Sequence, residues 1–292
     1  AGASELGVGP AIGGAIVHYR TAAGARSIDW MRPATAAAIA AGDSGAMSCY
    51  PLVPFSNRIR DGRFCFAGQS VQLPLNAPGK PHSLHGHGWQ SRWQIVSRAE
   101  NTLVIECRPA ADAWPFPYLA RQTFRLDEER LTVEIAARNL GQTPMPIGLG
   151  LHPYFPRAAA TRLTASVAKM WDTDGEVMPT ALIDPPADRR LDLGVSVDGV
   201  VMDNVFTGWS GRAMIEWPES QARLTMTADE PLSFFVVYTP PGEAYFCAEP
   251  VSHCTDAFNL ADQGRDDTGI IVLRPRESVT AAVHFATEFK KA

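Results

Sequence analysis

Apolar residues recur at every second position through most of this chain, and that one feature excludes most folds. The segments TLVIECRP (102–109), LTVEIAARN (131–139), ARLTMTAD (222–229), SFFVVYTP (233–240) and VTAAVHFATEF (279–289) alternate or run apolar between Gly, Pro, Asn and Asp breakers. A period of two sends successive side chains to opposite faces of a strand, whereas a helix returns to one face every third or fourth residue. The 24 glycines and 23 prolines supply turns between many short strands. One stretch reads as helix, ATAAAIAA (34–41), which follows Pro33. No repeat of fixed period and no low-complexity linker interrupts the pattern, so residues 1–292 are expected to form one domain. The expected fold is all-β: a large antiparallel sandwich with few short helices, whose polar chemistry sits at strand ends and connecting loops.

Charge and composition then remove function classes. A formal charge of −5 with no run of like charges excludes a surface that tracks nucleic-acid phosphates, because such affinity comes from clustered Lys and Arg. No apolar run approaches the roughly 18 residues that a membrane helix needs. The opening AGASELGVGP lacks the charged-then-apolar layout of a signal peptide, so the expected compartment is the cytoplasm. The five cysteines, Cys49, Cys65, Cys107, Cys247 and Cys254, form no CxxC pair and are read as reduced thiols.

Two short motifs mislead. GDSGA (42–46) looks like a protease nucleophile segment, yet only His18 and Asp29 precede Ser44, and a triad is defined by geometry rather than by a tetrapeptide. It is read as a Gly-rich turn. DTDGE (172–176) opens like a calcium loop but carries Ile183 at the twelfth position, so an Asx-type turn is expected. The histidine-rich stretch HSLHGHGW (82–89) contains an H-x-H pair, His85 and His87, of the kind that holds metals on a strand. Gln90 and Ser91 stand where a third, carboxylate ligand would be needed, so no metal is expected there.

Four further segments set a charged or bifunctional side chain among rigidifying neighbours: PLVPFSNRIRDGRF (51–64), GLGLHPYFP (148–156), MDNVFTG (202–208) and YFCAEPVSHCTDAFN (245–259). Pro153 and Pro250 restrict the backbones of His152 and Glu249 to extended conformations and so fix their side-chain directions. Trp89, Trp93, Trp114 and Trp209 could each stack on an apolar ligand face, with core packing the ordinary alternative.

With DWMRP (29–33), LHGHGW (84–89), WPFPYLARQTFRL (114–126) and MPT (178–180), these segments make the chain resemble the aldose 1-epimerase (galactose mutarotase) family from end to end. The resemblance implies a β-supersandwich and exchange of the α and β anomers of a free sugar, without metal or cofactor. It implies that His152 is the general acid, Glu249 the general base, and Arg58, His85 and Asp203 the sugar-binding residues. His82 and His87 become scaffold. The chemistry fits independently, because anomer exchange removes a proton from one oxygen and gives one to another, and carboxylate and imidazole both do this near neutral pH. Ser83, where many relatives carry Gly, and the Asp203–Asn204 pair depart from the family pattern and leave the sugar open. Two alternatives stand beside this reading. One is a hexose-phosphate epimerase using Arg58, Arg60 and Arg63; the other is a sugar-binding module without turnover.

Overall fold

Each alternating segment pairs as a strand in the computed structural model, which describes residues 2–24 and 26–290. The five segments become Thr102–Cys107, Arg130–Asn139, Ala222–Ala228, Phe234–Tyr238 and Ser278–Phe289. Among the described residues they belong to a ten-stranded and a nine-stranded sheet, antiparallel between neighbours. Helix is confined to two short pieces among the described residues, Ala36–Ala41 and Ala257–Asp262. The first lies in the expected stretch, with the Thr35 side chain accepting from Ala38 N at its N-terminus. None of the helices is long and apolar enough to cross a membrane.

Alternation decides what each face of the larger sheet meets. Leu151, Phe155, Phe206, Phe235, Val237, Phe246 and Ala248 pack in one continuous cluster with Phe124, Val133, Ile135, Leu224 and Phe285 of the smaller sheet. That shared cluster makes the two sheets a sandwich. Truncating a fully buried phenylalanine such as Phe155 to alanine removes about 3–5 kcal/mol of stability. The intervening residues Tyr50, Leu52, Tyr154, Val205, Val236, Cys247 and Val251 form a second cluster on the sheet's other face. Loops cover this outer face too, which is why GLGLHPYFP is buried almost throughout and shows no alternation in sequence.

The two misleading motifs are turns. Asp43 Oδ1 accepts from Gly45 N at 3.1 Å, and Asp174 Oδ1 accepts from both Glu176 N and Met178 N at 2.9 Å. All five cysteines are free thiols.

Candidate active site

Sheet register builds the centre of the site. Strands Cys49–Leu52, Gly150–Pro156, Tyr245–Val251, Phe234–Tyr238 and Asp203–Thr207 are consecutive neighbours in the larger sheet. Gly150 pairs with Val251 and Tyr154 with Cys247, which puts His152 opposite Glu249 on the outer face. Asp203 lies on the same face two strands away, paired with Tyr238, which itself pairs with Cys247. Residues far apart in sequence are thus neighbours by pairing, not by any local motif.

His152 Nε2 stands 3.2 Å from Glu249 Oε1, and both side chains are buried. Burial pulls the imidazole down to about 3. Burial also pushes the Glu249 carboxyl well above the usual carboxylate range, with Asp203 adding to the rise and Arg58 opposing it. Both shifts favour the uncharged forms, because a low-dielectric site penalises whichever state carries charge. The contact therefore sets a carboxyl that favours its protonated form beside an imidazole that favours its neutral form. Transfer of the carboxyl proton to the imidazole would create a base and an acid together.

Arg58, Asp203 and His85 surround this pair. Arg58 Nη2 donates to Asp203 Oδ2 at 3.1 Å and Nη1 donates to Asn57 Oδ1 at 3.0 Å. Burial raises the Asp203 carboxyl although Arg58 opposes the shift. The His85 ring meets that of His152 edge to face at 5.0 Å. Asn57 N donates to His85 Nδ1 at 3.0 Å, and burial with the adjacent His152 and Arg58 holds the ring well below the usual imidazole range. A neutral imidazole that accepts at Nδ1 carries its proton on Nε2, so His85 presents a fixed N–H donor. All five residues expected from the sequence come together.

The rest of each motif is scaffold. His253 donates from Nδ1 to Cys254 O at 2.7 Å and accepts from Ser56 N at 3.0 Å, tying the loop after Glu249 to the loop that carries Arg58. Asp256 extends the tie by accepting from Arg60 N at 3.0 Å, while its own N donates to Arg58 O. Asn76 accepts from Leu84 N and donates to Leu84 O and Gly86 O, clamping the turn at His85. His85 and Gly86 are both left-handed, at φ 59° and 68°, and a Cβ on Gly86 would meet Val53 O at 2.5 Å. The chain therefore requires Gly after His85. This turn also breaks the strand geometry that an H-x-H metal pair needs: His85 faces His152, whereas His87 Nε2 lies 3.2 Å from Tyr118 Oη. His82 accepts from Asp61 N at Nδ1. Asn204 points away from Asp203 and bonds Trp171 O and Arg189.

Sequence reasoning missed the residues behind His152. Tyr50 and Tyr154 lie against its ring at 4.5 Å and 4.8 Å, both near parallel, and Tyr50 also stacks on Trp89 at 5.2 Å. The Arg32 guanidinium caps Tyr154 at 4.0 Å. Of the four tryptophans, Trp93, Trp114 and Trp209 are core, and Trp89 alone lies beside the site. The arginines weighed for phosphate are engaged separately: Arg58 with Asp203, Arg60 within ion-pair distance of Asp174 and Asp256, and Arg63 with Gln72. His152, Cys247 and Glu249 are the one group of three metal-capable side chains among the described residues, their ligand atoms within 4.8 Å of one another.

The two-sheet architecture defines a galactose mutarotase-like β-sandwich protein, here with a buried imidazole–carboxylate pair on the outer face of its larger sheet. A galactose mutarotase-like protein of Clostridium acetobutylicum has the same fold, with a TM-score of 0.87 at 20% identity, over 99% of this chain and 94% of that one. An Escherichia coli K12 structure described as a candidate aldose 1-epimerase superposes with a TM-score of 0.88 at 28% identity, over 99% and 97% of the two chains. The uncharacterized protein YphB of Escherichia coli K12 is 32% identical over 251 residues, 83% of this chain and 84% of its own. The chain belongs to the aldose 1-epimerase family, which it matches over residues 9–286.

Proposed function

We propose that the protein interconverts the α and β anomers of a free hexose, with Glu249 as base and His152 as acid. The observation that carries this reading is the buried His152–Glu249 contact at 3.2 Å. Glu249 takes the proton of the C1 hydroxyl as the bond from C1 to the ring oxygen breaks, and His152 gives a proton to that oxygen. The open aldehyde turns about its C1–C2 bond, and the same steps in reverse close the ring on the other face. Each positioned acid or base contributes about 10²–10⁴-fold, enough for a reaction that already runs slowly in water. Arg58, Asp203 and His85 hold the sugar hydroxyls, His85 through its Nε2–H. A pure binding module would have no use for an acid and a base in buried contact.

Polarimetry of freshly dissolved α-glucose and α-galactose tests the reading. The protein should accelerate the approach to equilibrium for at least one of them, and undiminished activity is expected in EDTA. A rate equal to that of buffer for both sugars would contradict the proposal. Loss of activity on chelation, restored by a divalent ion, would replace acid–base chemistry with metal chemistry.

A further inference from the structure

We infer that His152, Cys247 and Glu249 also form a zinc site, one that silences the acid–base pair rather than serving it. The inhibitory part rests on the proposed function; the binding part does not. Cys247 and Glu249 are two residues apart on one strand and so project from the same face, while Tyr245–Val251 pairs with Gly150–Pro156 to bring His152 opposite. The site thus offers one nitrogen, one sulfur and one oxygen from adjacent rigid strands.

The spacing fits a tetrahedral ion. Zinc bonds of about 2.0–2.1 Å to nitrogen and oxygen at a tetrahedral angle place those two atoms roughly 3.3 Å apart, and His152 Nε2 and Glu249 Oε1 are 3.2 Å apart. A zinc–sulfur bond of about 2.3 Å asks for roughly 3.5 Å from sulfur to each of the others. The three ligand atoms lie within 4.8 Å of one another, and zinc would draw the Cys247 sulfur in toward the other two. Three protein ligands leave the fourth vertex to water.

Charge and softness select the ion. Binding expels the thiol proton of Cys247 and the carboxyl proton of Glu249 to solvent; the thiolate, carboxylate and neutral imidazole then carry two negative charges, which a divalent cation cancels, so the buried cluster is neutral when occupied. Sulfur and imidazole ligands favour zinc and disfavour magnesium and calcium, which take oxygen. Once bound, the ion occupies the Nε2 lone pair and a carboxylate oxygen, the two atoms that exchange the proton. Catalysis then stops without any movement of the fold.

The test uses the full chain after EDTA treatment and gel filtration, with Co²⁺ as a spectroscopic stand-in for zinc. One equivalent of Co²⁺ should give a near-ultraviolet thiolate charge-transfer band and tetrahedral visible bands, which one equivalent of Zn²⁺ abolishes. The band should vanish in both Cys247→Ala and Cys247→Ser but persist in Cys65→Ser, which removes the more accessible thiol. In parallel, Zn²⁺ should lower mutarotation at least tenfold and EDTA restore it, while Mg²⁺ has no effect. Cys247→Ser should keep mutarotation within about threefold and need at least tenfold more Zn²⁺ for the same inhibition. Absence of the thiolate band in the unmodified chain, or equal zinc sensitivity in Cys247→Ser, would overturn the site. A one-equivalent thiolate band in a chain that does not accelerate mutarotation would leave the metal site standing and remove the proposed reaction.

Discussion

Burial, more than any charged neighbour, sets the protonation of the His152–Glu249 pair. Its sign fixes the expected pH profile. His152 is lowered to about 3, so the second proton that would charge the pair binds only near that pH, not near the ordinary imidazole value. Glu249 is raised, so its proton is lost only as pH rises through that elevated value. The rate constant kcat/KM should therefore stay flat from pH 7 down to pH 5 and fall on the alkaline side, with both limbs belonging to the pair rather than to one residue. An acid limb centred near the ordinary imidazole pKa would contradict this. The neighbouring imidazole makes a different prediction. His85 presents Nε2–H and takes no part in proton transfer, so His85→Ala should raise KM by the about 1–3 kcal/mol of a lost buried hydrogen bond, roughly 5- to 150-fold, with a smaller loss in kcat. Steady-state kinetics check it, and abolished turnover with unchanged KM would move His85 into the chemistry. The five residues that the structure brings together stood out in the sequence because each is a polar side chain in a specific family motif, beside Pro, Gly or Asn. Tyr50 did not, because it meets His152 only across strands, and Tyr154, two residues along the strand from His152, carries no charge to mark it.

At the level of elements, the loops carry the precision and the strands carry the loops. The turn at His85–Gly86 is held by Asn76 and pressed against Val53, and its left-handed backbone aims the His85 ring at His152. Gly86→Ala adds strain at φ 68° and a Cβ that meets a backbone oxygen at 2.5 Å. It should destabilise the protein by about 1–3 kcal/mol and also lower kcat/KM through the displaced imidazole. Gly242 is a matched control, with φ 77° but open space around its Cβ, so Gly242→Ala should lose less stability and leave kinetics unchanged. Denaturant midpoints and kinetics of the two variants compare them directly; equal effects would mean that the Val53 contact is unimportant. The helix Ala257–Asp262 shows why part of this level was illegible. It is six residues long, and Asp256 before it is left-handed with its carboxylate turned to Arg60 and Asn259, so it lacks the N-cap bond that normally announces a helix.

For the whole molecule, period-two patterning was enough to read the sandwich, because the long central strands show one face to the shared core. It could not reveal which strands neighbour one another: the segments near residues 50, 152, 203 and 249 are adjacent only through the strand order of the larger sheet, and His85 reaches them from a turn held against Val53. Patterning also weakened where loops bury the outer face, and that is where the site lies. The central claim is that this convergence makes His152 and Glu249 one catalytic unit. The most direct measurement is the kcat for anomer exchange of the preferred sugar in Glu249→Gln, His152→Asn and the double variant, each confirmed as folded by circular dichroism. Each single substitution should lower kcat by about 10² or more with a smaller change in KM, and the double should be little worse than either, since residues that act as a unit are not additive. A Glu249→Gln protein that keeps most of its kcat, or a double variant whose loss is the product of the single losses, would contradict the account.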